Sequence, residues 1–302
     1  MSSLFLSLLL VVGGWGLPDL RLSSPSVYLS ADSIKSQRLF VGSAAVPKKI
    51  DVLSLGPRLA AASAVVVDAS SGAILFEKNA AAVRPLASLT KLMTALVFLE
   101  SNPKLSQVAT MAKDDDREGG RTFIRPLESA TLENYLTASL IASANNATMV
   151  LARSTGDTAE EFIGKMNTKA RQLGMSDTIF LDPTGLSEGN ISTGRDLAKL
   201  LRAAAGNPII RRLTTTSLTT IKLADGTTRP IANTDNLLSS MVDITLGKTG
   251  YLDEALYNLA VTAKLKNSQE VYVVVLGAVA SEERFQDAKN LIVWTQGAYA
   301  WK

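Results

Sequence analysis

Three short strings stand in a fixed order along this chain: Ser88-Leu89-Thr90-Lys91, Ser143-Ala144-Asn145 and Lys248-Thr249-Gly250. The sequence contains no histidine and no cysteine, which excludes a Ser-His-Asp triad, a Cys-His pair and any His- or Cys-ligated metal. Serine hydroxyls and lysine amines remain, and the chemistry they suit is acyl transfer through a serine ester. If Ser88 opens a helix, it sits at the positive end of the helix dipole, with Lys91 one turn along on the same face. Lys91 serves as a base for Ser88 only where desolvation or a neighbouring cation lowers its pKa, and Lys248 is the candidate cation. Around it, Leu89, Leu92, Met93, Leu96 and Val97 make the helix apolar on most of its circumference, where a lysine without such a role is costly.

The other two strings supply the rest of a site. Ser143 and Asn145 interrupt a helical stretch, so they can project into a cleft. Ser143 is placed to relay a proton between the lysines and a leaving group, and the Asn145 amide to hold Lys91 and substrate backbone. Lys248, Thr249 and Gly250 lie in a strand pattern. Lys248 and the Thr249 hydroxyl suit a substrate carboxylate, and the internal glycine marks close approach of another backbone. The backbone amides of Ser88 and Tyr251 are the candidate oxyanion donors. A Ser-x-x-Lys string arises by chance about once in a chain of this length, so the order and setting of the three carry the weight.

The elements that must position these residues follow from periodicity. Residues 63–69 and 73–77 read as a hairpin across Ser70-Ser71-Gly72, and Pro85 separates it from a helix at 88–99. Helices are expected at 132–141 and 146–153, then after the Thr158-x-x-Glu161 capping box up to Gly174, and from Thr193 to about Gly206. A hairpin turns at Asp225-Gly226; strands follow at 244–251, 257–265 and 271–279, then a final helix at 282–299. Strands at both ends with helices between them predict an α+β fold: one antiparallel sheet built from N- and C-terminal segments, with an inserted helical subdomain and the active site at the seam.

The 302 residues, 46% hydrophobic, suffice for one large catalytic unit. The net charge of +3 arises within residues 1–60, where Arg21, Lys35, Arg38, Lys48, Lys49 and Arg58 outnumber Asp19, Asp32 and Asp51. The neutral remainder, without a basic stripe, argues against nucleic-acid binding. From Met1 to Pro18 no side chain is charged, and Leu4 to Val12 is strongly apolar. This reads as an export segment, either a cleaved signal or a short membrane anchor. Residues 19–57, rich in Ser and Pro without periodicity, read as a tether, which leaves 58–302 as the catalytic domain.

Taken together, these motifs make the chain resemble the low-molecular-mass penicillin-binding proteins, the serine D-alanyl-D-alanine carboxypeptidase family. Further matching strings are Val66-Val67-Asp68, Arg84-Pro85-Leu86-Ala87-Ser88, Asp182-Pro183-Thr184-Gly185-Leu186, Asn233-Thr234-Asp235-Asn236-Leu237-Leu238 and Arg284-Phe285-Gln286-Asp287-Ala288. The resemblance implies a β-lactamase/transpeptidase-like fold and no cofactor. It implies an acyl-Ser88 intermediate on peptidoglycan stem peptides ending in D-Ala-D-Ala, acylation of Ser88 by β-lactams, and help from Arg284 in binding the substrate carboxylate. It places the protein outside the cytoplasm. Because the chain ends just after the last catalytic-domain helix, any membrane contact is expected from the N-terminus. Leu252 stands where the family usually has Thr, Leu256 where it has Gly, and Gly194 where it has Ala. A DD-endopeptidase cutting D-Ala cross-links and a weakly catalytic penicillin- or wall-binding module are the alternatives. A class A β-lactamase is disfavoured, since no Glu-x-x-Leu-Asn string is present to hold a deacylating water.

Overall fold

The computed structural model describes residues 38–42, 44–117 and 119–301. Strand β1 (Lys48–Lys49) precedes a hairpin of β2 (Ser63–Asp68) and β3 (Ile74–Lys78). The two-residue β4 (Arg84–Pro85) leads through a 3-10 turn (Ala87–Leu89) into α1 (Thr90–Glu100). The middle of the chain carries β5 (Val108–Thr110), β6 (Ser129–Thr131), α2 (Leu132–Ile141), α3 (Asn145–Arg153), α4 (Ala159–Gln172), β7 (Ile191–Ser192), α5 (Gly194–Ala205) and α6 (Pro208–Thr214). A hairpin of β8 (Leu218–Lys222) and β9 (Thr228–Ala232) returns the chain to β10 (Asp243–Leu252), β11 (Leu256–Lys264) and β12 (Glu270–Ala278). The last elements are α7 (Ser281–Ala298) and β13 (Tyr299–Ala300).

The main sheet has the order β10-β11-β12-β2-β3 and is antiparallel throughout. Its central strands are buried on both faces, so they read as continuous aliphatic runs. Within β2, Val65 and Val67 face the helical core while Ala64 and Val66 face a second core under α7. In β12, Tyr272, Val274 and Leu276 likewise oppose Val271, Val273 and Val275. Helix α5, with α6 against β10, packs on one face in a core shared with α1, α2 and α3, and α7 covers the other face through Phe285, Ala288, Leu291 and Ile292. This is the expected architecture. The capping box of α4 also forms as read: Glu161 N–H donates to Thr158 Oγ1 at 3.2 Å, and Thr158 N–H to Glu161 Oε2 at 2.9 Å.

Two expectations need correction. The α-helix opens at Thr90 and not at Ser88: Ser88 is the middle residue of a 3-10 turn that begins at Ala87, itself in the left-handed region at φ +49°. Residues 38–42 and 44–57, part of the stretch read as tether, pack on the folded body. Leu39 N–H donates to the Gly72 carbonyl at 2.9 Å, Phe40 tilts onto Tyr272 at 6.2 Å, and β1 pairs with β13. Leu39, Phe40 and Val46 are single apolar side chains packed against the core, so no periodicity betrays the contact. No helix of the described residues is long and apolar enough to cross a membrane, and the export segment at 1–18 lies outside them.

Candidate active site

The turn bearing Ser88 is clamped from several directions. Asn258 on β11 donates through Nδ2 to the carbonyls of Pro85 and Leu86 at 3.0 and 3.2 Å, and accepts the Gly277 N–H at 2.9 Å. Leu86 N–H donates to the Asn190 carbonyl at 2.8 Å. A Cβ at Gly185 would come within 2.0 Å of the Ala87 carbonyl oxygen; one at Gly250 would meet the Leu86 carbonyl oxygen at 2.9 Å and the Ser88 nitrogen at 3.3 Å. Glycine at both positions is therefore required by the close packing around the left-handed Ala87.

Lys91 is fully buried, and its Nζ has three neighbours: Ser88 Oγ at 2.8 Å, Asn145 Oδ1 at 2.7 Å and the Thr184 carbonyl at 2.7 Å. Burial, then the Lys248 cation, push its pKa well below the ordinary lysine value, with Asp182 opposing. A neutral amine has two N–H donors and one lone pair. The Asn145 and Thr184 oxygens take the two donors, which leaves the lone pair for the Ser88 hydroxyl proton. The Thr184 carbonyl is held by its own turn, in which Asp182 Oδ1 accepts from the Thr184 and Gly185 amides at 2.6 and 2.9 Å.

The second string ends one helix and begins the next. Ser143 takes φ +61° after α2, a left-handed conformation in the place where a helix end usually has glycine, and Ala144 N–H returns to the Ala138 carbonyl at 3.1 Å. Asn145 is thus the first residue of α3 and not a loop residue. Its Nδ2 donates to the Gly119 carbonyl at 2.8 Å, which draws Gly119, Gly120 and Arg121 into the cleft wall.

The third string lies on β10, an edge strand of the main sheet. Lys248 is buried; its Nζ donates to Ser143 Oγ at 3.0 Å and to the Thr249 carbonyl at 3.0 Å. Desolvation first, then the Arg284 charge, lower its pKa to about 7, against an opposing pull from Asp235. Thr249 Oγ1 is 2.5 Å from Thr234 Oγ1. Arg284 enters from α7, donates to the Gly250 carbonyl at 3.1 Å and lies over the rings of Phe285 and Tyr257. Asp235 is nearly enclosed; burial raises its pKa to about 6, and its Oδ2 lies where a Cβ on Gly247 would collide at 2.2 Å. Tyr251 stacks on Tyr257 at 4.4 Å with its side chain turned to solvent.

These walls enclose a cleft of about 730 Å³, lined among others by Ser88, Ser143, Asn145, Thr249, Gly250, Tyr251 and Arg284. All nine candidate residues named from the sequence come together here, with Lys91 and Lys248 just beneath the surface. Leu252 lines the cleft, while Leu256, its partner in register, adopts φ +57°, a conformation that favours the glycine usual at that place. Thr184, Asp182, Asp235 and Asn258 were given no role from sequence. The Asp-Pro-Thr-Gly string marks a turn and could have pointed to the first two; Asn258, near the start of an apolar strand, carries no local signal beyond being polar there.

Residues 51–280 match the family described as D-alanyl-D-alanine carboxypeptidase. The chain is 35% identical to a D-alanyl-D-alanine endopeptidase of Pseudomonas aeruginosa, covering 84% of this chain and 83% of the relative. It is 37% identical to a D-alanyl-D-alanine endopeptidase of Haemophilus influenzae, covering 80% and 85%. With the D-alanyl-D-alanine carboxypeptidase DacF of Bacillus subtilis it shares 33% identity over 79% of this chain and 63% of that one. Among solved structures, the Streptomyces K15 DD-transpeptidase superposes with a TM-score of 0.76 at 29% identity, covering 80% of this chain and 99% of that one. Family match, relatives and fold agree: the chain belongs to the D-alanyl-D-alanine carboxypeptidase family of serine peptidases.

Proposed function

We propose that Ser88 is the acyl-enzyme nucleophile of a serine D-alanyl-D-alanine carboxypeptidase acting on peptidoglycan stem peptides, and that β-lactams acylate the same hydroxyl. The observation that carries this reading is the buried Lys91 Nζ, whose remaining valence after Asn145 and Thr184 points to Ser88 Oγ. Lys91 accepts the hydroxyl proton as Oγ bonds to the carbonyl carbon of the penultimate D-Ala. The backbone amides of Ser88 and Tyr251 stabilise the oxyanion. Ser143, tied to Lys248, passes a proton to the departing amine, and the terminal D-Ala leaves. Water then attacks the Ser88 ester with Lys91 again as base, restoring the hydroxyl. Lys248, Thr249 and Arg284 hold the terminal carboxylate, and the peptide lies along the β10 edge as an added strand. The enzyme works outside the cytoplasm, where this substrate lies, and residues 1–18 serve its export.

A second reading, endopeptidase cleavage of D-Ala cross-links, is favoured by one specific observation: relatives named D-alanyl-D-alanine endopeptidases share 34 to 37% identity with this chain. Intact mass after β-lactam exposure tests the nucleophile, with one adduct expected on the wild type and none on Ser88→Ala. Incubation with a D-Ala-D-Ala pentapeptide and with a cross-linked dimer separates the two activities. Release of free D-Ala supports the carboxypeptidase; cleavage of the dimer alone supports the endopeptidase; an adduct with turnover of neither leaves a binding module.

A further inference from the structure

The loop between β1 and β2 turns its aliphatic side chains outward. The Asp51 carboxylate accepts the Ser54 N–H at 3.1 Å, Lys49 Nζ donates to the Ser54 carbonyl at 2.6 Å, and the Trp294 indole donates to Ser54 Oγ at 2.7 Å. Ile50 N–H donates to the Ala298 carbonyl at 2.8 Å. The loop is therefore pinned to the C-terminal end of α7. From this fixed backbone Ile50, Val52, Leu53 and Leu55 project with exposures of 57, 65, 89 and 73%. Single exposed aliphatics are ordinary, but four within six residues on one held loop form an apolar tip. Exposed Lys48 and Arg58 flank that tip, and the single acid between them, Asp51, is engaged with Ser54.

An apolar tip with a basic rim matches the headgroup–acyl boundary of an anionic bilayer, where aliphatic side chains enter the hydrocarbon and lysine and arginine stay at the phosphates. The placement also suits such a contact. The 18 residues of α7 span about 27 Å, with the loop at one end and Arg284, which lines the cleft, at the other. The uncharged run from Met1 to Pro18 belongs to the same end of the polypeptide, and stable membrane attachment commonly needs two such signals.

We propose that residues 50–55 form a lipid-contact site that dips into an anionic bilayer and holds the cleft about one helix length from it.

The absence of cysteine allows a single-label test on the full chain. Leu53→Cys carrying a polarity-sensitive fluorophore is expected to shift to the blue on phosphatidylcholine vesicles containing phosphatidylglycerol, and less on phosphatidylcholine alone. The same label at Asp225→Cys, on the β8–β9 turn, should not shift. The double substitution Leu53→Ser with Leu55→Ser should lower vesicle binding about tenfold or more, while penicillin acylation of Ser88 is unchanged. No shift at residue 53, an equal shift at residue 225, or undiminished vesicle binding by the double variant overturns the proposal. Loss of a dimer in the double variant with vesicle binding intact overturns it in favour of a second copy of the chain.

Discussion

Lys91 and Lys248 are both withdrawn from water, yet the walls that hold them differ. On the helical wall, Lys91 has three fixed neighbours drawn from the 3-10 turn, α3 and the Asp182 turn, which occupy every bonding direction of its nitrogen. On the strand wall, Lys248 touches only Ser143 and the Thr249 carbonyl, which leaves one direction open, and it sits between an arginine and a carboxyl group. The first environment favours the neutral amine in the resting enzyme, ready to take the Ser88 proton. The second is balanced near neutrality, so an arriving carboxylate can draw Lys248 into its charged form. Burial alone does not decide what a lysine does; the number of directions left open does.

Lys91→Met should break the helical wall most severely, with acylation by a fluorescent penicillin slowed roughly 10²- to 10⁴-fold and the melting temperature kept or raised, since a buried amine is replaced by an apolar chain of similar length. Lys248→Met should cost roughly 10- to 100-fold in kcat/KM for D-Ala-D-Ala peptides, mostly through KM. Equal losses confined to kcat in both variants would contradict the division of labour. Asn258→Ala, which frees the Pro85 and Leu86 carbonyls, should destabilise the fold by about 1–3 kcal/mol in denaturant titration and slow acylation with it.

The smallest effect concerns pH. Protonation of Lys91 removes the base, so activity falls on the acid side; loss of the Lys248 proton above about 7 removes the carboxylate anchor, so kcat/KM falls on the alkaline side. Arg284 depresses the Lys248 pKa and Asp235 raises it. Arg284→Gln should therefore move the alkaline limb up and Asp235→Asn should move it down, with the acid limb nearly still. A limb that ignores both substitutions would assign it to another group.

What was legible in the sequence was local. The Thr158 capping box, the Asp225-Gly226 turn and the three reactive strings each declare themselves within a few residues. The partners that complete the site do not. Lys91 meets Thr184 across 93 positions, and Asn258 reaches Pro85 across 173, pairings set by sheet order that no window reveals. Leu39 and Phe40 were misread for the same reason: a single apolar side chain packed against the core has no period. Ser88 was misplaced by a single structural step, because the left-handed Ala87 beside it sits in a turn packed against Gly185 and Gly250, which lie far from the segment.

The clamp around the Ala87 turn also dates the moment at which the protein becomes reactive. Its jaws come from β10 and β11 in the last fifth of the chain, and from residues 185 and 190 in the middle. A polypeptide made N-terminus first carries Ser88 long before those strands arrive. Until they dock, nothing takes Lys91 out of water, so on the proposed mechanism the Ser88 hydroxyl stays inert in an unfinished molecule.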